Sequence, residues 1–588
     1  MSEIQYNTHE QDIERHFFRA STSDFKKILG SPIAYWASDA VVKIFANGKP
    51  LGSLGKIGKG SDTGKNELFI RAWPEISFNK LDIYCHSTQD TFNNHKKYYP
   101  THRGGGFRKW FGNQSDVINW QNDGKAIRDC PGSTTRNHKY YFNPCISWGK
   151  ITSSKLSVRN IPQGSISDDA GPSAFLGNLN QSTLGFLNSS LAERLVSFLS
   201  PTLNFQVGDI SALPILEYCE NIGEEHGAII STLISISRND WDTHENSWDF
   251  TDSPLLSNDH RRFTLEATYH FVRTHWRKIT LEMQRLEEEN NRIFIDAYGL
   301  KDELSPEVPL DEITLTCNPH YRYSGNKTED ELEALLLADT MREFISYAVG
   351  CMLGRYSLDK PGLILANQGE PLADYLKQVP QPSFTPDKDN VIPMLDGDWF
   401  ADDIVERFRQ FLRITFGEEH YKENLQFIEQ ALNVKGKRNY TLRDYFLGEF
   451  YTDHVKRYKK RPIYWLFSSP KGSFNALIYM HRYRPDTVSV VLNDYLREFR
   501  AKLDAHLQHL KATSISAGSS QGEKTKALKE IDKVTKVMAE LEDYERDVLY
   551  PLATQQIEID LDDGVKANYP RFGAALKKIP GLDAEDDD

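Results

Sequence analysis

The stretch Thr183-Leu-Gly-Phe-Leu-Asn-Ser-Ser-Leu-Ala-Glu-Arg-Leu-Val-Ser-Phe-Leu-Ser-Pro201 divides the chain into two kinds of sequence. Leu184, Leu187, Leu191, Leu195 and Leu199 recur at helical spacing, and Ser200-Pro201 stops the pattern, so the segment predicts an amphipathic helix. Before it, short β-like pieces are separated by Gly, Asn and Pro clusters: Gly52 to Gly64, Arg103-Gly104-Gly105-Gly106, and Gln163 to Pro172. A helical pattern from Asp24 to Phe45 leads in and ends at Asn47-Gly48-Lys49-Pro50. After it the chain turns helical and charged. Arg262 to Ala297 is one long amphipathic pattern, and Leu492 to Val548 holds two helical stretches around the polar break Thr513 to Gly522, which predicts a helical hairpin.

The expected fold class is therefore α+β. A mixed domain over 1–225 precedes a helical connector over 226–310 and a mainly helical domain over 311–588 that ends in the hairpin and an acidic tail. At 588 residues two to four domains are the natural division. No apolar run approaches the ~20 residues of a membrane span, and Met1-Ser-Glu-Ile-Gln-Tyr6 lacks a basic-then-apolar leader, which points to a soluble, cytoplasmic chain. Cys85, Cys130, Cys145, Cys219, Cys317 and Cys351 show no paired short spacing, which argues against a zinc ribbon or a disulfide framework.

The formal charge of -13 speaks at first against a nucleic-acid partner. Its distribution matters more: acid collects at Asp583 to Asp588 and in Glu287-Glu288-Glu289, whereas Lys96 to Lys155 and His454 to Arg484 are basic. The first basic tract carries Arg103, Arg108, Lys109, Lys125, Arg128, Arg136, Lys139 and Lys150, interleaved with Phe107, Trp110, Trp120, Tyr140, Tyr141 and Trp148. Guanidinium groups grip phosphates or read guanine edges, and the nearby glycines allow close backbone approach, so a DNA face and a solvated loop face both fit the chemistry. The second, Arg457-Tyr-Lys-Lys-Arg461 with His481-Arg482-Tyr-Arg484, reads as a solvated face or as a further contact surface.

Two motifs fall short. Gly58-Lys59-Gly60-Ser61-Asp62-Thr63-Gly64-Lys65-Asn66 places Lys59 and Asn66 where a P-loop needs Gly and Ser or Thr, leaving a glycine-rich loop that could touch DNA phosphate. Asn318-Pro319-His320-Tyr321 is similar to the Asn-Pro-Pro-Tyr of amino methyltransferases, whose Asn holds the target amino group while the aromatic stacks on the flipped base. His320 breaks the Pro-Pro turn, and no convincing glycine loop for S-adenosylmethionine accompanies it, which favours a structural loop.

Phe25 to Trp36, Leu184 to Ser190, Ser200 to Asp209, Trp241 to Phe250, Asn290 to Gly299 and Asp339 to Ala366 together resemble the target-recognition parts of BREX phage-defence, adenine-specific DNA methyltransferases of the PglX (BrxX-like) type. Phe25-Lys-Lys-Ile-Leu-Gly-Ser-Pro-Ile-Ala-Tyr-Trp36 is similar to that family's entry into its recognition domain. Leu184 to Ser190 followed by Ser200-Pro-Thr-Leu-Asn-Phe-Gln-Val-Gly-Asp209 resembles its end. Trp241 to Phe250, Asn290 to Gly299, and Asp339 to Ala366 with Gly350-Cys-Met-Leu-Gly-Arg-Tyr-Ser357 resemble its helical segments. The resemblance implies sequence-specific recognition of double-stranded DNA, with Asn204 and Gln206 joining the cations of the basic tract as DNA-binding candidates. It also implies that the chain matches the later half of the family's pattern, as a piece of a longer protein or a split-gene product. No catalytic residue is then carried here, and S-adenosylmethionine is expected for the missing catalytic domain. The implied partners are other BREX proteins and an acidic phage mimic of DNA. An active methyltransferase working through Asn318, and a protein-docking scaffold without DNA, are the alternatives.

Overall fold

A computed structural model describes residues 36–152, 155–200 and 204–582. Helix covers 52% and strand 10%, the latter in small sheets, so the fold is α+β with helix dominant. The Phe25 to Trp36 stretch up to its last residue, the first part of the Asp24 to Phe45 pattern, Pro201 to Leu203 and the acidic tail lie outside the described residues. Where the sequence suggests three consecutive segments, the chain groups into two interleaved units. The first takes residues up to Ile70, Asp82–Trp241 and Trp276–Ser324; the second takes Arg71–Leu81, Asp242–His275 and the chain from Gly325 onward.

In the first unit, Lys56–Gly58, Ser173–Phe175, Cys145–Trp148 and Val158–Ile161 form an antiparallel sheet in that order. A second sheet sets Tyr98–His102 antiparallel to Asp116–Asn119 and parallel to Ile166–Ser167. The leucine-patterned stretch packs against the first sheet: Leu184, Leu187, Leu191 and Leu195 are buried with Trp110, Trp148 and Val158. It forms two helices, Asn180–Leu187 and Ser190–Leu199, where the periodicity alone predicts one. The break has a polar cause. The Asn188 side chain accepts from Val158 N at 2.9 Å and donates to Val158 O at 2.9 Å, as a ladder partner would. Ser189 then caps the next helix by accepting from Ala192 N at 3.2 Å.

The long helix spans Leu265–Tyr298, three residues inside its predicted start. Its residues from Trp276 belong to the first unit, where two adjacent amides hold the two short helices. Asn290 Nδ2 donates to Gly185 O at 3.0 Å, and Asn291 Oδ1 accepts from Ser190 N at 3.0 Å. At Gly185 a Cβ would lie 2.6 Å from Ile230 Cδ1 and 3.0 Å from Asn290 Oδ1, so a larger residue would have to push these side chains aside.

The second unit contains the helices Glu329–Leu353, Ile404–Phe416 and Tyr421–Leu432 around an aromatic core that includes Phe344, Phe408 and Phe411. The predicted helical hairpin is present as Arg497–Ile515 and Gln521–Tyr544, with Ser520 and Glu523 forming a capping box at the second start. A three-stranded sheet was not foreseen: Tyr464–Ser468 and Asn475–Tyr479 form a hairpin, and Ile392–Pro393 joins its second strand. All ten residues of the two hairpin strands are buried. Among the described residues no helix is long and apolar enough to cross a membrane, and no group of three or more His, Cys, Asp or Glu is placed to hold a metal ion.

Candidate nucleic-acid interface

The basic tract is sorted by the fold into an inward and an outward set. Arg108 and Lys109 follow the glycine loop and enter the core, where their side chains are 4% and 8% exposed. Arg108 donates from Nε to Phe111 O at 2.8 Å, from Nη1 to Thr316 Oγ1 at 3.0 Å, and from Nη2 to Ser237 O at 3.2 Å and Asp240 Oδ2 at 2.8 Å. Its guanidinium also lies over the Trp241 ring, 5.2 Å from the centroid. Lys109 Nζ meets Glu287 Oε2 at 2.7 Å, and Trp110 Nε1 donates to the other oxygen of the same carboxylate at 2.8 Å. Two buried charges thus meet two buried counter-charges with hydrogen bonds to spare, the arrangement burial requires. These cations bolt the loop to the helices; the outward set is what a DNA surface could use.

The outward set gathers on one group of loops. The strand Ile166–Ser167 runs into Asp168-Asp169-Ala170-Gly171, and the two aspartates become the meeting point. Arg103 Nε lies 3.4 Å from Asp168 Oδ2, while Lys59 Nζ, Arg136 Nη1 and Lys150 Nζ stand 3.4, 3.2 and 3.6 Å from the Asp169 carboxylate. Four cations therefore share two carboxylates. Burial pushes the Asp168 carboxyl up from its usual value, with Arg103 acting in the opposite direction.

Backbone contacts hold these loops together. Lys150 N donates to Ala170 O at 3.2 Å, Gly60 N to Asp168 O at 3.3 Å, and Asp169 N to Ser61 O at 2.9 Å. A Cβ at Gly60 would fall 1.9 Å from Ser167 O, so this glycine exists to let two backbones touch. The glycine-rich segment Gly58 to Asn66 is thus the neighbour of an interior strand end, and it adds Lys59 to the cationic set. Asn137 Nδ2 donates to Lys59 O at 2.8 Å, which places the Arg136 to Lys139 turn beside it. Lys139 is exposed on that turn with its Nζ 5.1 Å from the Tyr140 ring centre.

Asn204 and Gln206 join the same neighbourhood. Asn204 bridges Ile151, Phe205 N donates to Lys150 O at 3.0 Å, and Gln206 Nε2 donates to Asn204 Oδ1 at 2.7 Å. Lys125 and Arg128 stand apart on the short helix Gln121–Arg128, where Lys125 pairs with Asp129 and Arg128 reaches Asp123 at 2.9 Å. Asp123 also takes a 2.6 Å contact from His138 Nε2, which ties this helix to the Arg136 turn.

Asn318 is fully buried and caps the short helix Pro319–Arg322. Its Nδ2 donates to Leu310 O at 2.7 Å and Ile313 O at 2.8 Å, and its Oδ1 accepts from His320 N at 3.2 Å. The Tyr321 hydroxyl donates to Phe107 O. Both polar ends of the asparagine are engaged in the turn, and the tyrosine fastens the glycine loop. The second basic cluster is also mostly internal. Arg457 meets Glu245 at 3.2 Å, Arg461 meets Glu75 at 3.1 Å, and Arg482 donates to the carbonyls of Leu353, Asp387 and Lys388. His481 is buried against Ile76 O at 3.0 Å.

No protein-family model matches the chain. It is 36% identical over 576 residues to the adenine-specific methyltransferase BrxX of Escherichia coli O9:H4 (strain HS), covering 95% of this chain and 46% of that protein. It is also 36% identical over 590 aligned positions to the adenine-specific methyltransferase PglX of Lacticaseibacillus casei (strain Zhang), covering 96% of this chain and 46% of that protein. The chain thus spans about half the length of the curated relatives it matches, and its similarity to these adenine-specific methyltransferases runs through nearly all of its own length.

Proposed function

We propose that this chain recognises double-stranded DNA through the first unit, on behalf of an adenine-specific methylation system of the BREX type. The observation that carries the reading is the convergence of Lys59, Arg103, Arg136 and Lys150 on Asp168 and Asp169, four cations against two carboxylates on one group of loops. Phosphates would be held by these cations and by Lys125, Arg128 and Lys139, while Asn204 and Gln206, beside Lys150, supply amides suited to base edges. On this reading the chain corresponds to a recognition portion of its longer relatives, and the methyl transfer with its S-adenosylmethionine belongs to a catalytic portion. The engaged side chain of Asn318 supports placing the chemistry elsewhere. The same cationic loops would accept an acidic protein that mimics DNA, and the second unit would dock other proteins of the defence system.

The test is duplex DNA affinity against salt concentration for the whole chain and for Arg136→Ala combined with Lys150→Ala. Each lost phosphate contact should reduce the slope of log affinity on log salt by about 0.9. A double variant with unchanged affinity and slope would remove these loops from the interface.

A further inference from the structure

The second unit contains a cavity of about 580 Å³ that the DNA reading does not use. Its volume lies within the roughly 300–1,000 Å³ of small-molecule sites. Six lysines line it against two carboxylates, Asp396 and Glu530. Lys533 is paired with Asp396 at 3.3 Å. Lys456, Lys460, Lys471 and Lys577 are exposed and none forms an ion pair within 4 Å among the described residues, although Lys456 lies near enough to Asp453 to favour its carboxylate. Their distinction is their placement around one enclosed volume, whereas the nearby Arg457 and Arg461 are neutralised by Glu245 and Glu75.

The fold presents these lysines from three fixed places. Lys456 belongs to the helix Tyr451–Arg457 and Lys460 follows its end in a left-handed conformation, φ 61°. Lys471 sits at the tip of the buried hairpin, and that tip is held by Glu540. This carboxylate accepts from Ser469 Oγ at 2.6 Å, Lys471 N at 2.7 Å and Ser473 Oγ at 2.5 Å. Burial alone would raise the Glu540 carboxyl, but these donors hold it below its usual value and keep the carboxylate charged. Lys577 is set by its own backbone, whose N–H donates to Leu466 O at 2.8 Å beside the Phe467 to Leu576 bridge. The rest of the lining mixes aromatic and aliphatic side chains, Trp399, Phe446, Tyr451 and Phe499 among them, with the polar Thr452, Ser473, Asn475 and His506. Trp399 is fixed edge-on to Phe499, centroids 5.4 Å apart, and its Nε1 donates to Asp396 O at 2.9 Å.

A ligand that satisfies this lining carries several negative charges at one end and a flat, weakly polar body at the other. Lysine is a point-charge partner for phosphate, and aromatic rings accept a base or sugar by stacking and contact. We propose that this cavity binds a nucleoside polyphosphate, with its phosphates on Lys456, Lys460, Lys471 and Lys577 and its nucleoside against the aromatic side. The proposal is independent of DNA recognition by the first unit.

It is tested by titrating the whole chain calorimetrically with ATP at physiological salt, with adenosine and inorganic tripolyphosphate in parallel. ATP should bind, adenosine should not bind measurably, and tripolyphosphate should bind at least about tenfold more weakly than ATP. Lys471→Ala with Lys577→Ala should weaken ATP by about tenfold or more, while Lys526→Ala with Lys529→Ala, on the exposed hairpin surface, should leave it unchanged. Thermal unfolding of both variants should match the parent, which separates lost binding from lost folding. Absence of ATP binding, equal binding of tripolyphosphate, or undiminished binding by the first pair would overturn the proposal.

Discussion

Replacing Arg108 by alanine should destabilise the first unit rather than strip it of a DNA contact. The guanidinium makes four hydrogen bonds, at 2.8, 3.0, 3.2 and 2.8 Å, and both it and Asp240 are almost completely removed from solvent. Breaking a buried ion pair by deleting one partner costs about 3–5 kcal/mol, because the survivor stays buried and charged. Asp240 would keep two backbone donors, Thr316 N at 2.7 Å and Cys317 N at 3.0 Å, so the lower end of that range, about 3 kcal/mol, is expected. Asp240→Asn alone should cost less, and Arg108→Met with Asp240→Asn should recover part of the loss, giving a coupling of about 1–3 kcal/mol. The assay is urea unfolding of each variant followed by tryptophan emission and by hydrogen exchange of the Ser237 to Asp242 segment, with duplex affinity measured under native conditions. If Arg108→Ala left unfolding unchanged while duplex affinity and salt slope fell, the inward assignment would be wrong.

Two further outcomes follow from buried groups. Asn318→Ala strands the carbonyls of Leu310 and Ile313 and should cost about 1–3 kcal/mol, read as a lower unfolding midpoint; unchanged stability with altered S-adenosylmethionine binding would instead return the motif to methyltransferase chemistry. His102 is buried between Ser165 Oγ and Ser173 Oγ, both at 2.8 Å, and burial, helped by Arg159, pushes its imidazole down to about 3. The unfolded chain then takes up its proton first as pH falls below about 6.5, so stability drops from there toward pH 3 by about 1.4 kcal/mol per unit from this group. His102→Gln should flatten that dependence by the same amount between pH 6 and 4.5, and parallel curves for variant and parent would disprove it.

The long periodic helices were legible because their buried face repeats every turn, as in Leu265–Tyr298 and in the hairpin of Arg497–Ile515 and Gln521–Tyr544. The strand Tyr464–Ser468 was not, since burial on both faces erases the alternation by which a strand is recognised. The split at Asn188 depends on Val158, 30 residues earlier, and no local pattern announces it. The basic tract between Lys96 and Lys155 was visible as composition, yet its sorting was hidden. Arg108 faces inward because Asp240 waits 132 positions away, and Lys59, Arg136 and Lys150 meet because chain topology carries three distant loops to Asp169. The asparagine motif illustrates the same limit: four residues suggest base recognition, while the carbonyls of Leu310 and Ile313 decide how the side chain is engaged.

The sharing of Asp169 among three cations has a consequence for how a polyanion would arrive. The place beside Lys59, Arg136 and Lys150 is already held by a tethered carboxylate, so an incoming phosphate acts as a substitute and not as a first occupant. A lone small anion gains little from such an exchange. A duplex, presenting many phosphates at fixed intervals, can displace the carboxylate and keep neighbouring contacts during each exchange, which favours long polyanions over monovalent ones and lets them shift along the loops without a fully detached step.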